Sequence, residues 1–213
     1  MLSSLLRTAG TMLVLCTLLS SCASLDNPNT AATANPDFNL HQQAVLAQPD
    51  WQLDGRLNVR QGQQSDTVSL RWQQRNQDFD LSLSGALGLG TTRVRGNDEA
   101  GLTVEKAGEA PVTLPNLQAL SRNYLSFEFP AAHLLYWVRG LPAPQLAATT
   151  TFDSNNLLIT LDQRDTDGRS WQLTYDRYET VAGVPLPGRI RLTADDVQLT
   201  FLVSDWQLGA ASP

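Results

Sequence analysis

The sequence has few of the side chains from which most catalytic and metal-binding sites are built. Its 213 residues contain two cysteines, Cys16 and Cys22, and two histidines, His41 and His133. The nucleophile motif G-x-S-x-G and the metal-binding motif H-E-x-x-H are both missing from the sequence. We therefore expect no Ser-His-Asp triad and no metal site, and we expect both histidines to be structural or surface residues.

Two motifs that superficially resemble ligand-binding loops fail on their spacing. Asp165-x-Asp167-Gly168 resembles the start of a calcium loop, but its glycine comes too early for an EF-hand. Gly85-x-x-Gly88-x-Gly90 lacks the glycine order and the following helix of a dinucleotide-binding turn. Carboxylates are numerous, which leaves a glycosidase-type pair open, yet most of them lie in turns or on the polar sides of predicted strands. We expect a protein without enzymatic activity, cofactor or metal.

Positive charge and long hydrophobic runs are scarce as well. The sequence has 15 lysines and arginines against 21 aspartates and glutamates, for a net charge of −6, and no stripe of positive charge. This composition argues against nucleic acid as a partner and against attachment to anionic lipid by charge. The apolar run from Met12 to Leu19 is too short for a membrane-spanning helix, which needs roughly 20 residues.

The N-terminus has the features of a lipoprotein signal. Arg7 precedes the apolar run, and small residues lead to Cys22. Leu19-Ser20-Ser21-Cys22 resembles the bacterial lipobox, which implies that residues 1–21 are a signal peptide and that Cys22 is acylated. Ala23 stands where an aspartate would retain the protein in the inner membrane, so the resemblance implies the periplasmic side of the outer membrane. The alternative is an ordinary signal peptide, cut elsewhere, with Cys22 a free thiol.

The rest of the chain divides by composition. Residues 22–37 are polar, small and proline-containing, which predicts a flexible, acylated tether. Residues 38–208 are long enough for one domain with a hydrophobic core, and residues 209–213 form a short tail. Apolar residues at mixed spacing from Phe38 to Gln48 predict a short helix at the start of the domain.

Alternation of apolar and polar side chains predicts that the domain is mainly a β-sheet. Phe79, Leu81 and Leu83 face one way, while the intervening aspartate and serine face the other. The same alternation predicts strands near residues 51–59, 68–72, 92–94, 102–104, 157–161, 171–175, 190–192 and 197–203. Helical spacing between Pro115 and Leu141 predicts two short helices that cover one face of the sheet. The predicted fold class is therefore mainly β with α (α+β), with about 9–11 antiparallel strands.

The apolar face of this sheet has two interpretations. It can be a filled hydrophobic core, as for most such faces. A curved sheet that short helices close can instead leave the face partly unfilled and hold an apolar ligand. The inward-alternating and lid positions that we predict to line such a cavity are Trp72, Phe79, Leu81, Leu83, Trp137, Trp171, Tyr175, Ile190 and Leu192.

The turn that follows the strand at Phe79 is rich in glycine but not in polar residues. Between Gly85 and Gly90 lie Leu87 and Leu89, at the tip of a hairpin where nothing is obliged to bury them. Two leucines at such a tip indicate contact with something apolar outside the domain. The alternative is a loop that folds back onto the body of the domain.

Several short motifs resemble those of the LolB family of outer-membrane lipoprotein receptors. They are Trp51-x-x-x-Gly55-Arg56-Leu57, Leu134-x-x-Trp137-x-x-Gly140-x-Pro142, Trp171-x-Leu173-x-Tyr175-x-x-Tyr178, Leu186-Pro187 and Val203-x-x-Trp206. Each motif is short, but they follow the family's order over nearly the whole domain, behind the lipobox.

This resemblance implies a fold, an activity and a set of partners. The fold would be an unclosed antiparallel β-barrel with short helices as a lid over an apolar cavity. The protein would be a receptor that accepts acylated lipoproteins from the periplasmic chaperone LolA, binds their acyl chains in the cavity and inserts them into the inner leaflet of the outer membrane. No covalent chemistry and no cofactor are implied, and we expect a monomer.

The resemblance also implies a membrane-insertion loop. The family's protruding loop carries Pro-Leu-Gly, which Ala86-Leu87-Gly88 matches except for the proline. Leu87 and Gly88 are therefore the expected membrane-insertion residues, and Leu89 is added because of its predicted exposure. Two alternative functions stay open: a structural or envelope-binding outer-membrane lipoprotein with a filled β core, and a periplasmic hydrolase that works through surface carboxylates.

Overall fold

The computed structural model describes residues 35–85, 90–124 and 130–209. Within these ranges the helices are α1 Pro36–Leu46, α2 Leu117–Tyr124 and α3 Ala131–Trp137. The strands are β1 Asp50–Gln61, β2 Gln64–Arg75, β3 Asp78–Gly85, β4 Thr91–Asn97, β5 Gly101–Lys106, β6 Val112–Leu114, β7 Ala148–Phe152, β8 Leu158–Arg164, β9 Ser170–Val181, β10 Val184–Ala194 and β11 Val197–Leu208. None of the helices in these ranges is both long enough and apolar enough to cross a membrane.

All eleven strands of the described ranges belong to one antiparallel sheet, in the order β6-β5-β4-β3-β2-β1-β11-β10-β9-β8-β7. The sheet has two halves, β1–β6 and β7–β11, and within each half strands that follow one another in sequence are also neighbours in space. Two-residue turns with positive φ at Gly62 and Asp195 join β1 to β2 and β10 to β11, as the twist of a hairpin favours. No pairing between described residues joins β6 to β7, so the sheet is open. This confirms the predicted unclosed, mainly β fold.

The two halves of the sheet meet where the first strand pairs with the last. The register of β1 and β11 runs from Trp51 opposite Leu208 to Gln61 opposite Val197, with a β-bulge at Asp54 and Gly55. A Cβ atom at position 55 would collide with the carbonyl oxygen of Leu202. Glycine therefore allows the backbones of β1 and β11 to approach closely at the bulge.

Helix α1 begins two residues before the predicted start at Phe38, because Asn35 caps it. The Asn35 Oδ1 accepts hydrogen bonds from the backbone N–H groups of Asp37 and Phe38, both at 3.1 Å. The helix packs against β10 through the His41 Nε2, which donates to the carbonyl oxygen of Pro185 at 2.8 Å. The ring of Phe38 lies 4.9 Å from the ring of Phe152 on β7.

The edge strands β6 and β7 are the elements that the sequence pattern does not reveal. Strand β6 has three residues, which is too few to show alternation. Strand β7 carries threonines at three successive positions, so its inward side is not distinguished by apolar residues.

Strand β8 differs from its predicted alternation. The pattern places Leu157, Ile159 and Leu161 on one face, but the structure buries Leu157, Leu158 and Leu161 and exposes Ile159. The register explains the difference, since Thr151 lies opposite Thr160 and Phe152 opposite Leu158, which leaves Ile159 unpaired. One extra residue in a strand reverses the alternation beyond it.

Candidate functional site

The helix-covered face of the sheet contains an apolar cavity of about 290 Å³. Strands β1–β5 and β11 form its floor, and helices α2 and α3 form its roof. Its lining residues are Leu57, Val59, Leu70, Trp72, Phe79, Leu81, Leu83, Thr92, Val94, Val104, Lys106, Leu117, Leu120, Ala131, Leu134, Leu135, Leu199 and Phe201. This part of the helix-covered face is therefore not a filled core.

Strand register explains why these side chains meet on one face. Leu81 lies opposite Val94, and Val94 lies opposite Val104, so the three form a continuous row across β3, β4 and β5. Every second residue of a strand points to the same face. The next row on this face consists of the cross-strand neighbours Leu83, Thr92 and Lys106.

The opposite face of the same strands is polar and carries ion pairs between neighbouring strands. The Arg93 Nε donates to the Asp80 Oδ1 at 2.8 Å, and the Arg71 Nε donates to the Asp54 Oδ1 at 2.6 Å. Arg95 is paired with Glu105 on the adjacent strand. Because these pairs are exposed, each contributes little to stability. They keep this face of the sheet hydrophilic, whereas the helix-covered face is apolar.

Four of the nine predicted cavity residues line this cavity, namely Trp72, Phe79, Leu81 and Leu83. The other five, Trp137, Trp171, Tyr175, Ile190 and Leu192, are buried but do not line it. They lie on α3, β9 and β10, where large side chains fill the space between helix and sheet. The rings of Trp137 and Trp171, for example, are 5.8 Å apart. The helix-covered face thus has a filled part and a hollow part.

The sequence prediction left out the remaining lining residues, most of which are aliphatic. On the strands they follow the same alternation as the predicted ones: Leu70 is two residues from Trp72, and Leu57 and Val59 continue the inward side of β1. The sequence pattern lacked the strand register, in which β3 pairs with β4 and β4 with β5, so that Leu81, Val94 and Val104 form one row. On the helices, Leu117 and Leu120 are one turn apart.

Helix α3 is fixed to the filled part of the sheet by one buried amide. The Gln163 Oε1 on β8 accepts hydrogen bonds from the Trp137 Nε1 at 2.7 Å and from the backbone N–H of Ala143 at 2.8 Å. Its Nε2 donates to the carbonyl oxygens of Ala143 at 3.0 Å and Leu146 at 3.3 Å. Both ends of the Gln163 side chain are therefore satisfied, and α3 has a defined position above the sheet.

A buried arginine connects α3 to α1. The Arg139 Nε donates to the carbonyl oxygen of Leu135 at 2.8 Å, and its Nη1 lies 3.4 Å from the carbonyl oxygens of Val45 and Gln48. The guanidinium carbon also lies 5.5 Å from the ring centroid of Trp51. Burial lowers the pKa of Arg139 to about 10, so the side chain stays charged at neutral pH. The cation thus interacts with the carbonyl end of α1.

The titratable side chains of Tyr175 and His133 take part in the packing around α3. Burial raises the pKa of the Tyr175 hydroxyl. Burial also lowers the pKa of His133, and the nearby carboxylates of Asp165 and Asp167 oppose this effect. The His133 ring packs at 5.5 Å from the ring of Trp137. These surroundings agree with the structural role expected for His133.

Two further predicted sites lie outside the described residues. These are the acylation site Cys22 and the loop residues Leu87, Gly88 and Leu89. The described residues next to the loop are Gly85, at the end of β3, and Gly90, which precedes β4. The loop thus links the β3 and β4 ends that lie beside the row of Leu83, Thr92 and Lys106.

Comparison with known proteins gives close relatives over most of the chain. A family model described as outer membrane lipoprotein LolB matches residues 49–206. The outer-membrane lipoprotein LolB of Stutzerimonas stutzeri is 39% identical over 197 residues, which cover 89% of this chain and 90% of the relative. That of Pseudomonas paraeruginosa is 36% identical over 193 residues, covering 89% and 91%.

Solved structures give a similar fold at low sequence identity. A LolA superfamily protein from Nitrosomonas europaea matches with a TM-score of 0.58 and 12% identity, covering 84% of this chain and 96% of that protein. At this identity the likeness shows the fold alone.

Proposed function

This chain belongs to the outer membrane lipoprotein LolB family, and we propose from this premise that its cavity carries the acyl chains of lipoproteins in transit to the outer membrane. As a member of the family, it is a lipid-anchored outer-membrane protein and a receptor in lipoprotein localization. The donor of the cargo would be the periplasmic chaperone LolA, and the acceptor would be the inner leaflet of the outer membrane. Cys22 would carry the lipid anchor.

The observation that carries this proposal is the apolar cavity between the sheet and helices α2 and α3. An acyl chain with about 15 methylene groups costs roughly 12 kcal/mol when it is exposed to water, at about 0.8 kcal/mol per CH₂. Such a chain has to pass from one apolar site to another. Transfer of this kind needs only differences in affinity, so we propose that the protein forms no covalent bond with its cargo.

The size of the cavity indicates how it is used. Its volume of about 290 Å³ is just below the range of ligand pockets, roughly 300–1,000 Å³. The space suits about one acyl chain and is too small for the several chains of a mature lipoprotein. We therefore propose that α2, which supplies Leu117 and Leu120 to the roof, moves away from the sheet when cargo enters.

The filled-core alternative is not favoured, because the hollow part of the helix-covered face lies where a scaffold would have close-packed side chains. A hydrolase is not favoured by the outer face either. The carboxylates of Asp54, Asp80 and Glu105 there are engaged in ion pairs with arginines.

The loop at residues 86–89 is proposed as the element that delivers the cargo. Leu87 would enter the membrane, with Gly88 beside it and Leu89 adding apolar surface. The test is a two-step assay in which acylated lipoprotein passes from loaded LolA to the purified protein and then to liposomes. We expect Leu87→Glu to accept cargo as the wild type does and to fail in delivery.

The matched control is Leu40→Glu, because Leu40 is an exposed leucine on α1, 65% accessible and remote from the loop in sequence. It should accept and deliver normally. Normal delivery by Leu87→Glu would show that the loop is not the insertion element. If the wild type accepts no cargo, the receptor role of the cavity is itself refuted.

A further inference from the structure

Within the described ranges, one charged residue lies in the wall of the apolar cavity. Lys106 is the only lysine of the 213-residue sequence, and it lines the cavity at the end of β5. Thr92 on β4 lies directly opposite Lys106 in the antiparallel pair of β4 and β5. Every other described residue that lines the cavity is apolar. Among the described residues, the polar part of the cavity wall (the polar site) therefore consists of Lys106 and Thr92.

This polar site lies at one end of the cavity. Lys106 and Thr92 share a cross-strand row with Leu83, whereas Phe79 lies four residues earlier on β3. At about 3.4 Å per residue, the two ends are about 14 Å apart. Leu117, at the start of α2, lies at the Phe79 end, because its backbone N–H donates to the Asp98 Oδ1 in the turn between β4 and β5.

The polar end is also the end nearest the β3–β4 connection. The backbone N–H of Ala107, which follows Lys106, donates to the carbonyl oxygen of Thr91 at 3.3 Å. A Cβ atom at Gly90 would lie 3.7 Å from the Cβ of Ala107. Lys106 is thus next to the point where the chain enters β4.

The chemistry of the polar site suits one end of an acyl chain and not the other. An ester, amide or carboxylate head has oxygen acceptors, and leaving them unpaired in an apolar site is costly. Lys106 already has an interaction within the protein, but a lysine ammonium has three donors and can also bind a ligand oxygen; a threonine hydroxyl has one donor. The methyl end of the chain, in contrast, needs only apolar contacts, which Phe79 and Leu117 supply.

We propose that Lys106 and Thr92 bind the carbonyl head of an acyl chain and thereby orient the chain in the cavity. The head lies beside the β3–β4 connection, and the methyl end points toward Phe79 and Leu117. This inference rests on the proposed function of the cavity. Cargo held in this way presents its polar part, and the protein attached to it, at the end of the cavity next to Gly85 and Gly90.

Binding measurements test the role of Lys106. They use residues 22–213 with Cys22→Ala, so that the chain stays unacylated, and a fluorescent apolar probe that each ligand displaces. The ligands are dodecanoate, methyl dodecanoate and dodecane. Lys106→Met should raise the Kd of both carbonyl ligands, for dodecanoate roughly tenfold or more, because it removes a hydrogen bond to a charged donor. The Kd of dodecane should change less than twofold.

Three variants serve as controls. Lys106→Arg keeps the charge and should retain most of the affinity for dodecanoate. Thr92→Val removes the second donor at nearly constant size and should weaken both carbonyl ligands slightly. Arg95→Met removes one positive charge from the opposite face of the sheet and should leave all three affinities unchanged.

Nuclear magnetic resonance tests the orientation directly. Reductive methylation with ¹³C-formaldehyde keeps the positive charge of a lysine and labels Lys106 and the N-terminal amine. The Lys106 signal is identified because it is missing in Lys106→Arg. Stearate with a nitroxide at carbon 5 should broaden this signal more strongly than stearate with a nitroxide at carbon 16, at equal occupancy.

The outcomes separate the inference from the function on which it rests. If the wild type binds none of the ligands, the acyl-binding role fails and the inference fails with it. If the wild type binds all three and Lys106→Met weakens none of them, or all of them equally, the inference alone is overturned. Broadening that is equal, or stronger from carbon 16, overturns the proposed orientation.

Discussion

Replacement of Gln163 by methionine tests whether one buried amide holds α3 over the sheet. Methionine has a similar length and shape but makes no comparable hydrogen bonds. The substitution leaves two buried donors without partners, the Trp137 Nε1 and the backbone N–H of Ala143. At about 1–3 kcal/mol for each unsatisfied donor, the free energy of unfolding should fall by about 2–6 kcal/mol.

Urea denaturation followed by tryptophan fluorescence measures this loss, and thermal unfolding checks it. A loss of about 4 kcal/mol lowers Tm by about 8–16 °C in a domain of this size. Gln172→Met makes the same chemical change at an exposed position of the neighbouring strand β9 and should cost less than about 0.5 kcal/mol. A loss at Gln163 as small as that at Gln172 would refute the proposed anchoring of α3.

Three further predictions concern the cavity, the connection between helices and pH. Leu83→Trp should fill the cavity and weaken dodecanoate binding roughly tenfold, equivalent to about 1.4 kcal/mol, in the displacement assay. Leu202→Trp, on the exposed opposite face, should leave binding unchanged. Arg139→Met should lower the free energy of unfolding by about 2–4 kcal/mol in urea, and unchanged stability would contradict its role between α1 and α3. Burial lowers the pKa of His41 below its usual 6.5, so the unfolded state binds the proton first and stability falls as pH drops below 6.5. His41→Gln should reduce the stability lost between pH 7 and pH 5, measured by urea titration at each pH.

The sequence pattern predicted the environment of a side chain best where that environment depends only on the residue's position in its own strand. Trp72, Leu81 and Leu83 could be placed on the inward face because alternation with a period of two decides the face of a residue. Alternation does not decide which part of that face is filled. Trp137 and Trp171 carry large rings that fill the space around them, so these two predicted cavity residues belong to the filled part of the face.

Other features depended on partners that a single strand does not reveal. Ile159 is exposed because the register between β7 and β8 shifts between Thr151 and Phe152. The three threonines of β7 show no alternation of apolar and polar residues, so the sequence does not reveal this pairing. Lys106 is the last residue of β5 and interrupts the row of apolar inward residues. A charged residue at the end of a strand indicates the start of a turn. The place of Lys106 in the cavity wall follows from its pairing with Thr92. The membrane-insertion role of Leu87 remains a prediction.

The pairing of β1 with β11 also determines when the domain can fold. β1 is the first strand to be synthesised and β11 the last, and the hydrogen bond from Ser204 to Asp54 joins residues 150 positions apart. Closing so long a loop costs entropy, and sheets built on distant pairs form slowly. Until β11 is present, β1 and β10 each have an unpaired edge in the middle of the future sheet. The sheet is therefore completed only when the last strand of the chain is available to pair with the first.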